Sequence, residues 1–208
     1  MNPNPHANPI PNILTGIRLF AGVIMFLIMA GATLPLLVSN LEPDDQFALY
    51  RVAFWIFVVA ASTDWVDGYL ARRWNATTRW GAILDPIADK ILVTGAILGV
   101  LASGSVPQIA VPCGLILFRE FAVSALRETT AGKVKLPVTL LAKWKTTLQL
   151  VAIAGEIVIV SWSAFNLPDD KVLFGYTAMG VHGLLWVAAV VTLITGAQYW
   201  EAARKALV

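Results

Sequence analysis

The chain has 208 residues, 58% of them hydrophobic and 13% charged, with a formal net charge of +2 and a mean hydropathy of +0.72. That is too apolar for a water-soluble domain of this length, and nothing in it points to a nucleic-acid partner. The single cysteine, Cys113, excludes an intramolecular disulfide and is expected to pack in a core.

Residues 1–11 read Met-Asn-Pro-Asn-Pro-His-Ala-Asn-Pro-Ile-Pro. Without Lys or Arg they are not the n-region of a cleaved signal peptide. Their prolines argue against a long helix before about Asn12, so a cytosolic or interfacial segment is expected. A spanning helix requires ~20 mostly apolar residues. Six stretches qualify: 13–38, 47–71, 83–104, 108–127, 144–163 and 174–200. Their connections are short and no internal repeat is evident. The expected fold is an all-α integral membrane bundle of six transmembrane helices forming one domain over 1–208. The second and sixth spans are long enough to tilt or to extend beyond the bilayer.

The first span carries Arg18 one turn from Thr15, where the cation could pair with an aspartate or with Glu120. The second ends on Asp64-Trp65-Val66-Asp67-Gly68-Tyr69-Leu70-Ala71-Arg72, and eight residues later the chain reads Gly81-x3-Asp85-x3-Asp89. A carboxylate at the centre of a membrane helix costs ~2.5–3.5 kcal/mol on insertion scales. Four together repel one another unless positive charge lies between them, and a pair of divalent cations is the simplest source. On helices, Asp64 and Asp67 share a face at i, i+3, as do Asp85 and Asp89 at i, i+4. Hard oxygen ligands favour Mg²⁺, Mn²⁺ or Ca²⁺ over zinc. The plainer alternative is salt bridging with Arg72, Arg73, Arg79 and Lys90. Pro86 is best tolerated in a first turn, which predicts that the third helix begins near 81–85. Within the third span, Gly95 and Gly99 offer a close helix contact, either in a homodimer or within the chain.

The fourth span holds Arg119 well inside an apolar run, where a charge marks function or a buried pair with Glu120 or Glu156. Arg119 and Arg127 are eight apart, within ~80° on one helix. Lys143 and Lys145 open the fifth span, whereas Lys133 and Lys135 read as solvated loop charges. His6 and His182 are isolated, with surface and packing roles expected respectively. The basic residues at 72–79, 127–145 and 204–205 fall on one side if six helices alternate. Opposite them lie Arg51 beside Glu42, Asp44 and Asp45, no basic residue at 103–107, and Lys171 beside Asp169 and Asp170. The positive-inside rule then makes both termini and the basic loops cytosolic, with Trp74, Trp80, Trp144 and Trp200 near that interface. This basic side also suits anionic membrane lipids.

The spacing D-x2-D-G-x2-A-R-x8-G-x3-D-x3-D, filled at every fixed position, resembles the CDP-alcohol phosphotransferase family. The likeness runs over residues 10–205. Thr63-Asp64-Trp65, Arg72-Arg73-Trp74-Asn75, the run 84–90, Arg119-Glu120-x3-Ser124-Ala125-Leu126-Arg127-Glu128 and Lys143-x-Lys145-Thr146-Thr147-x-Gln149 look like its bacterial branch that makes phosphatidylglycerophosphate. The resemblance implies a metal-dependent phosphatidyl transfer in phospholipid biosynthesis, at the cytosolic face of a bacterial inner membrane. CDP-diacylglycerol would be the donor and CMP the leaving group. It implies Asp64, Asp67, Asp85 and Asp89 as ligands of Mg²⁺ or Mn²⁺, with Asp89 also the general base toward the acceptor hydroxyl. Gly68, Arg72, Thr78 and Gly81 would contact the CDP-diacylglycerol head. The acceptor would be sn-glycerol 3-phosphate, its phosphate held by Arg119, Arg127, Lys143 and Lys145. Inositol phosphate, serine or phosphatidylglycerol as acceptor are the near alternatives. A divalent-metal transporter is the distant one, disfavoured because all four aspartates cluster at one end rather than lining a path.

Overall fold

The computed structural model describes residues 10–34, 41–74, 79–104, 107–130 and 140–207, with backbone only for 10–11, 64–74, 79–82, 107, 140–143 and 206–207. Among these residues there are six long α-helices and no strand: α1 Ile10–Gly31, α2 Pro43–Trp74, α3 Arg79–Ala102, α4 Ala110–Thr129, α5 Leu140–Val160 and α6 Lys171–Leu207. Short 3₁₀ turns, Pro107–Ile109 and Trp162–Phe165, precede α4 and follow α5. Each expected span corresponds to one helix, with shifted ends. α1 stops at Gly31 rather than near 38. Thr33 Oγ1 folds back on the Ala30 carbonyl at 2.8 Å, and Gln46 Nε2 caps the Ala32 carbonyl at 2.7 Å, while Pro35 disfavours helix at the residue before it. α2 starts at Pro43, a good first helical residue, with Asp44 and Asp45 toward the positive end of the helix dipole. α6 starts at Lys171 because Asp170 Oδ1 accepts the backbone N–H groups of Val172 and Leu173 at 2.8 and 3.3 Å. Pro86 lies inside α3, beyond the first turn where it was expected. Its missing N–H leaves one carbonyl of the preceding turn without a helical partner.

Among the described residues, three helices are long and apolar enough to cross a membrane: Asn12–Gly31, Pro43–Thr63 and Lys171–Lys205, with mean hydropathy 2.3, 1.4 and 1.9. The other three carry ionisable residues within their apolar runs: Asp85, Asp89 and Lys90 on α3, Arg119, Glu120 and Arg127 on α4, Lys145 and Glu156 on α5. At 1.5 Å per residue, α2 and α6 reach ~48 and ~55 Å, more than a ~30 Å hydrocarbon core requires.

The chain forms two compact units, Met1–Gly104 with Val160–Leu167, and Ser105–Ile159 with Pro168–Val208. In the first, α1 buries Thr15, Arg18, Gly22, Met25 and Met29, alternating three and four residues apart along one seam that Ala32 continues just past the helix end. Thr15 meets Asp85, Arg18 meets Asp89, Gly22 meets Gly95 and Met29 meets Gly99. Both numbers of each pair rise together, so α1 and α3 run parallel. A Cβ on Gly95 would collide with the Gly22 carbonyl oxygen, and one on Gly22 would lie 2.8 Å from the Leu92 Cα. The glycines of 95 and 99 therefore serve an intramolecular crossing. α2 buries Tyr50, Ala53, Phe57 and Ala60 at helical spacing. Arg51 Nη1 caps the Ala164 carbonyl at 2.8 Å, and Phe54 meets Phe165 edge-on at 5.1 Å.

In the second unit, Arg119 reaches Thr195 and Gly196, and Val123 packs with Tyr199, so α4 and α6 are also parallel. Lys145 of α5 meets Glu120 of α4, while Glu156 further along α5 meets His182, earlier on α6 than Thr195. That order makes α5 antiparallel to α6. Cys113 is buried, as expected of a core residue.

Candidate active site

The first unit carries the acidic motif. Asp64, Asp67, Gly68 and Arg72 fall in the last turns of α2, and Gly81 in the first turn of α3. Beyond that backbone assignment they lie outside the described residues, as does Thr78 altogether. Asp85 and Asp89 are described one turn apart on α3, where i, i+4 spacing gives them a common face. Each receives a donor from α1. Thr15 Oγ1 donates to Asp85 Oδ1. Arg18 Nη1 donates to Asp89 Oδ1 at 2.8 Å, the guanidinium 1% exposed and the aspartate side chain 48%. The parallel seam explains this: Thr15 and Arg18 are i, i+3 on α1, and Asp85 and Asp89 lie opposite at matching heights. Arg18 thus pairs with an aspartate, one of the partners expected of it. A threonine and an arginine on one face of an apolar helix was the available sequence signal, and Thr15 itself had no expected role.

A divalent cation fits the described half of this site. Its donors are two carboxylates, the hard oxygen ligands that Mg²⁺ and Mn²⁺ take. A carboxylate offers about four lone-pair positions, so a hydrogen bond to Oδ1 is compatible with ligation. No group of three or more ligating side chains occurs among the described residues; the carboxylates of Asp64 and Asp67 are outside them.

The second unit carries the expected acceptor cations. Lys145 Nζ and Arg119 Nη1, the latter at 3.3 Å, both donate to Glu120 Oε1. All three side chains are between 11% and 19% exposed. Two cations from two helices thus converge on one oxygen, the arrangement in which an anionic oxygen is held best. Arg119 Nη2 donates to Thr195 Oγ1 at 3.1 Å, and Arg119 Nε is buried without a hydrogen-bond partner. The exposed Arg127 lies in the last turn of α4, with its Cζ 5.8 Å from the centre of the Tyr199 ring. The side chain of Lys143 lies outside the described residues, as do Lys133 and Lys135. Glu120 is the partner that the sequence allowed for Arg119, whereas Thr195 is a site neighbour without an expected role. Glu120 stood within a quoted motif, but no spacing rule links Thr195 to a residue 76 positions away.

Glu156 is not the partner of Arg119. It is 2% exposed and lies 2.9 Å from His182 Nδ1, which gives that histidine a polar partner rather than a simple packing role. Thirteen residues of α6, or ~20 Å, separate this pair from Thr195.

The family model for CDP-alcohol phosphatidyltransferase matches residues 8–194, through both units. A protein of Cereibacter sphaeroides named CDP-diacylglycerol–glycerol-3-phosphate 3-phosphatidyltransferase is 38% identical over 95% of each chain. Relatives of the same name from Rickettsia bellii and Haemophilus influenzae are 40% and 37% identical, covering 84% and 73% of this chain and 90% and 77% of their own.

Proposed function

The chain belongs to the CDP-alcohol phosphatidyltransferase family, and we propose that it transfers the phosphatidyl group of CDP-diacylglycerol to sn-glycerol 3-phosphate, giving phosphatidylglycerophosphate and CMP. Relatives that share its length carry that activity in their names. The observation that carries the reading onto this chain's own residues is the convergence of Arg119 and Lys145 on one carboxylate oxygen. A phosphomonoester dianion requires such a place, and an uncharged acceptor does not.

Each group then has a task. Asp64, Asp67, Asp85 and Asp89 would hold a pair of Mg²⁺ or Mn²⁺ ions, which when bound would neutralise the donor's pyrophosphate and so favour the departure of CMP. Gly68, Arg72, Thr78 and Gly81 receive the nucleotide and pyrophosphate, Arg72 through the guanidinium geometry that suits phosphate oxygens. Asp89 takes the proton of the acceptor hydroxyl, which attacks the β-phosphorus, and Arg18 orients its carboxylate. Arg119, Arg127, Lys143 and Lys145 hold the acceptor's phosphate. Positive charge at the ends of α4, α5 and α6 supports a multi-pass protein of six spans in the bacterial cytoplasmic membrane, with termini and active site toward the cytosol.

Purified protein in lipid micelles with CDP-diacylglycerol and glycerol 3-phosphate tests the reaction class. CMP release should require Mg²⁺ or Mn²⁺ and stop with a chelator. Asp64→Asn, Asp67→Asn and Asp85→Asn should each lower it roughly a hundredfold or more. Chelator-resistant release, or near-wild-type rates in two of these variants, would remove the metal assignment. Divalent-ion flux in vesicles without CMP release would replace the enzyme by a transporter.

A further inference from the structure

Arg119 takes its direction partly from α6, through two residues that the acceptor reading leaves without a task. Thr195 Oγ1 donates to the carbonyl oxygens of Val191 and Thr192 at 3.0 and 2.9 Å. Its hydrogen is thereby committed to its own helix, and its lone pairs accept from Arg119 Nη2 at 3.1 Å. The next residue is Gly196, where a Cβ would lie 2.9 Å from Arg119 Cγ and 3.1 Å from Nε. The arginine stem therefore crosses the α6 backbone at a point where a side chain would have to displace it. A guanidinium has five N–H donors. Nη1 donates to Glu120 and Nη2 to Thr195, while Nε is enclosed without a partner. One hydrogen on each terminal nitrogen is left to meet an anion, aimed by the two contacts beside it.

We propose that Thr195 and Gly196 are positioning residues for the acceptor: they seat the Arg119 guanidinium and thereby set affinity for the acceptor's phosphate. The inference rests on the acceptor role given to Arg119. Glu120 alone would not provide this seat. It lies next to Arg119 in the chain, shares its Oε1 with Lys145, and holds Arg119 at 3.3 Å. Thr195 is 6% exposed and belongs to a different helix, so it fixes the guanidinium against α6.

Michaelis constants for glycerol 3-phosphate and for CDP-diacylglycerol, measured on purified protein at matched folded yield, test the seat. Thr195→Val should raise the acceptor constant roughly tenfold, the lower end of what a hydrogen bond to a charged group is worth. The lipid constant and the maximal rate should stay near wild type. Thr195→Ser keeps the hydroxyl and should restore the acceptor constant. Gly196→Ala crowds the stem and should repeat the Thr195→Val effect, and it carries the same prediction if Thr195→Val folds poorly. In an Arg119→Ala background, Thr195→Val should add nothing further. A raised acceptor constant in Arg119→Ala with no change in Thr195→Val and Gly196→Ala would overturn the seat while sparing the role of Arg119. An unchanged constant in Arg119→Ala itself would remove that role, and the seat with it. An equal Thr195→Val effect with and without Arg119 would show that the threonine acts only on helix packing.

Discussion

Arg18 and Asp89 form a pair with unequal surroundings, the guanidinium enclosed and the carboxylate about half exposed. That asymmetry suits a base: one oxygen is fixed from behind while the group stays reachable by an acceptor. Asp89→Asn should retain CDP-diacylglycerol binding and lose turnover by ~10²–10⁴-fold, the usual share of a general base. Loss of lipid binding with an unchanged maximal rate would show the role to be misassigned. Arg18→Ala removes a charged hydrogen bond worth about 1.5–3 kcal/mol, toward the lower end because solvent screens the exposed aspartate. It should lower both the unfolding midpoint in detergent and the maximal rate. Arg18→Lys, which keeps charge without the planar geometry, should recover stability more than rate.

At the scale of elements, the parallel crossing of α1 and α3 brings Thr15 and Arg18 to the aspartates, and it depends on Gly22 and Gly95. Gly95→Ala places a methyl against the Gly22 backbone, and overpacking of this kind costs about 1–3 kcal/mol. The variant should lose stability and, by displacing Arg18 from Asp89, turnover as well. Gly114→Ala is the matched control on α4, where nothing lies within 4 Å of the added carbon; it should be neutral or slightly stabilising. Equal behaviour of the two variants, by thermal unfolding, would remove the crossing from the account. Much at this scale was legible in the sequence. Six apolar runs became six helices because hydropathy and length dominate in such a chain. Asp85 and Asp89 share a face because helical periodicity demands it. The ends were less legible: α1 stops at Gly31, where Gln46 of the next helix caps the Ala32 carbonyl, and α3 continues through Pro86 although proline disfavours a helix interior. Partner choice was least legible. Arg18 had several possible carboxylates, and Thr195 and His182 meet their partners only through tertiary packing.

For the whole molecule, the basic residues set the orientation and the acceptor defines the activity. A cytosolic site predicts that Thr77→Cys and Lys135→Cys, each in a Cys113→Ser background, resist an impermeant thiol reagent in intact cells and react in inverted vesicles. Labelling in intact cells would reverse the topology and carry the proposed site to the other face. The central claim is the identity of the acceptor, and the direct measurement is CMP release with product identification. The purified wild-type protein is given CDP-diacylglycerol, Mg²⁺ or Mn²⁺, and in separate reactions glycerol 3-phosphate, inositol phosphate, serine or phosphatidylglycerol. CMP should appear with glycerol 3-phosphate, together with a lipid of the mass of phosphatidylglycerophosphate, and remain at background with the others. CMP release with inositol phosphate or free serine, and none with glycerol 3-phosphate, would contradict the account.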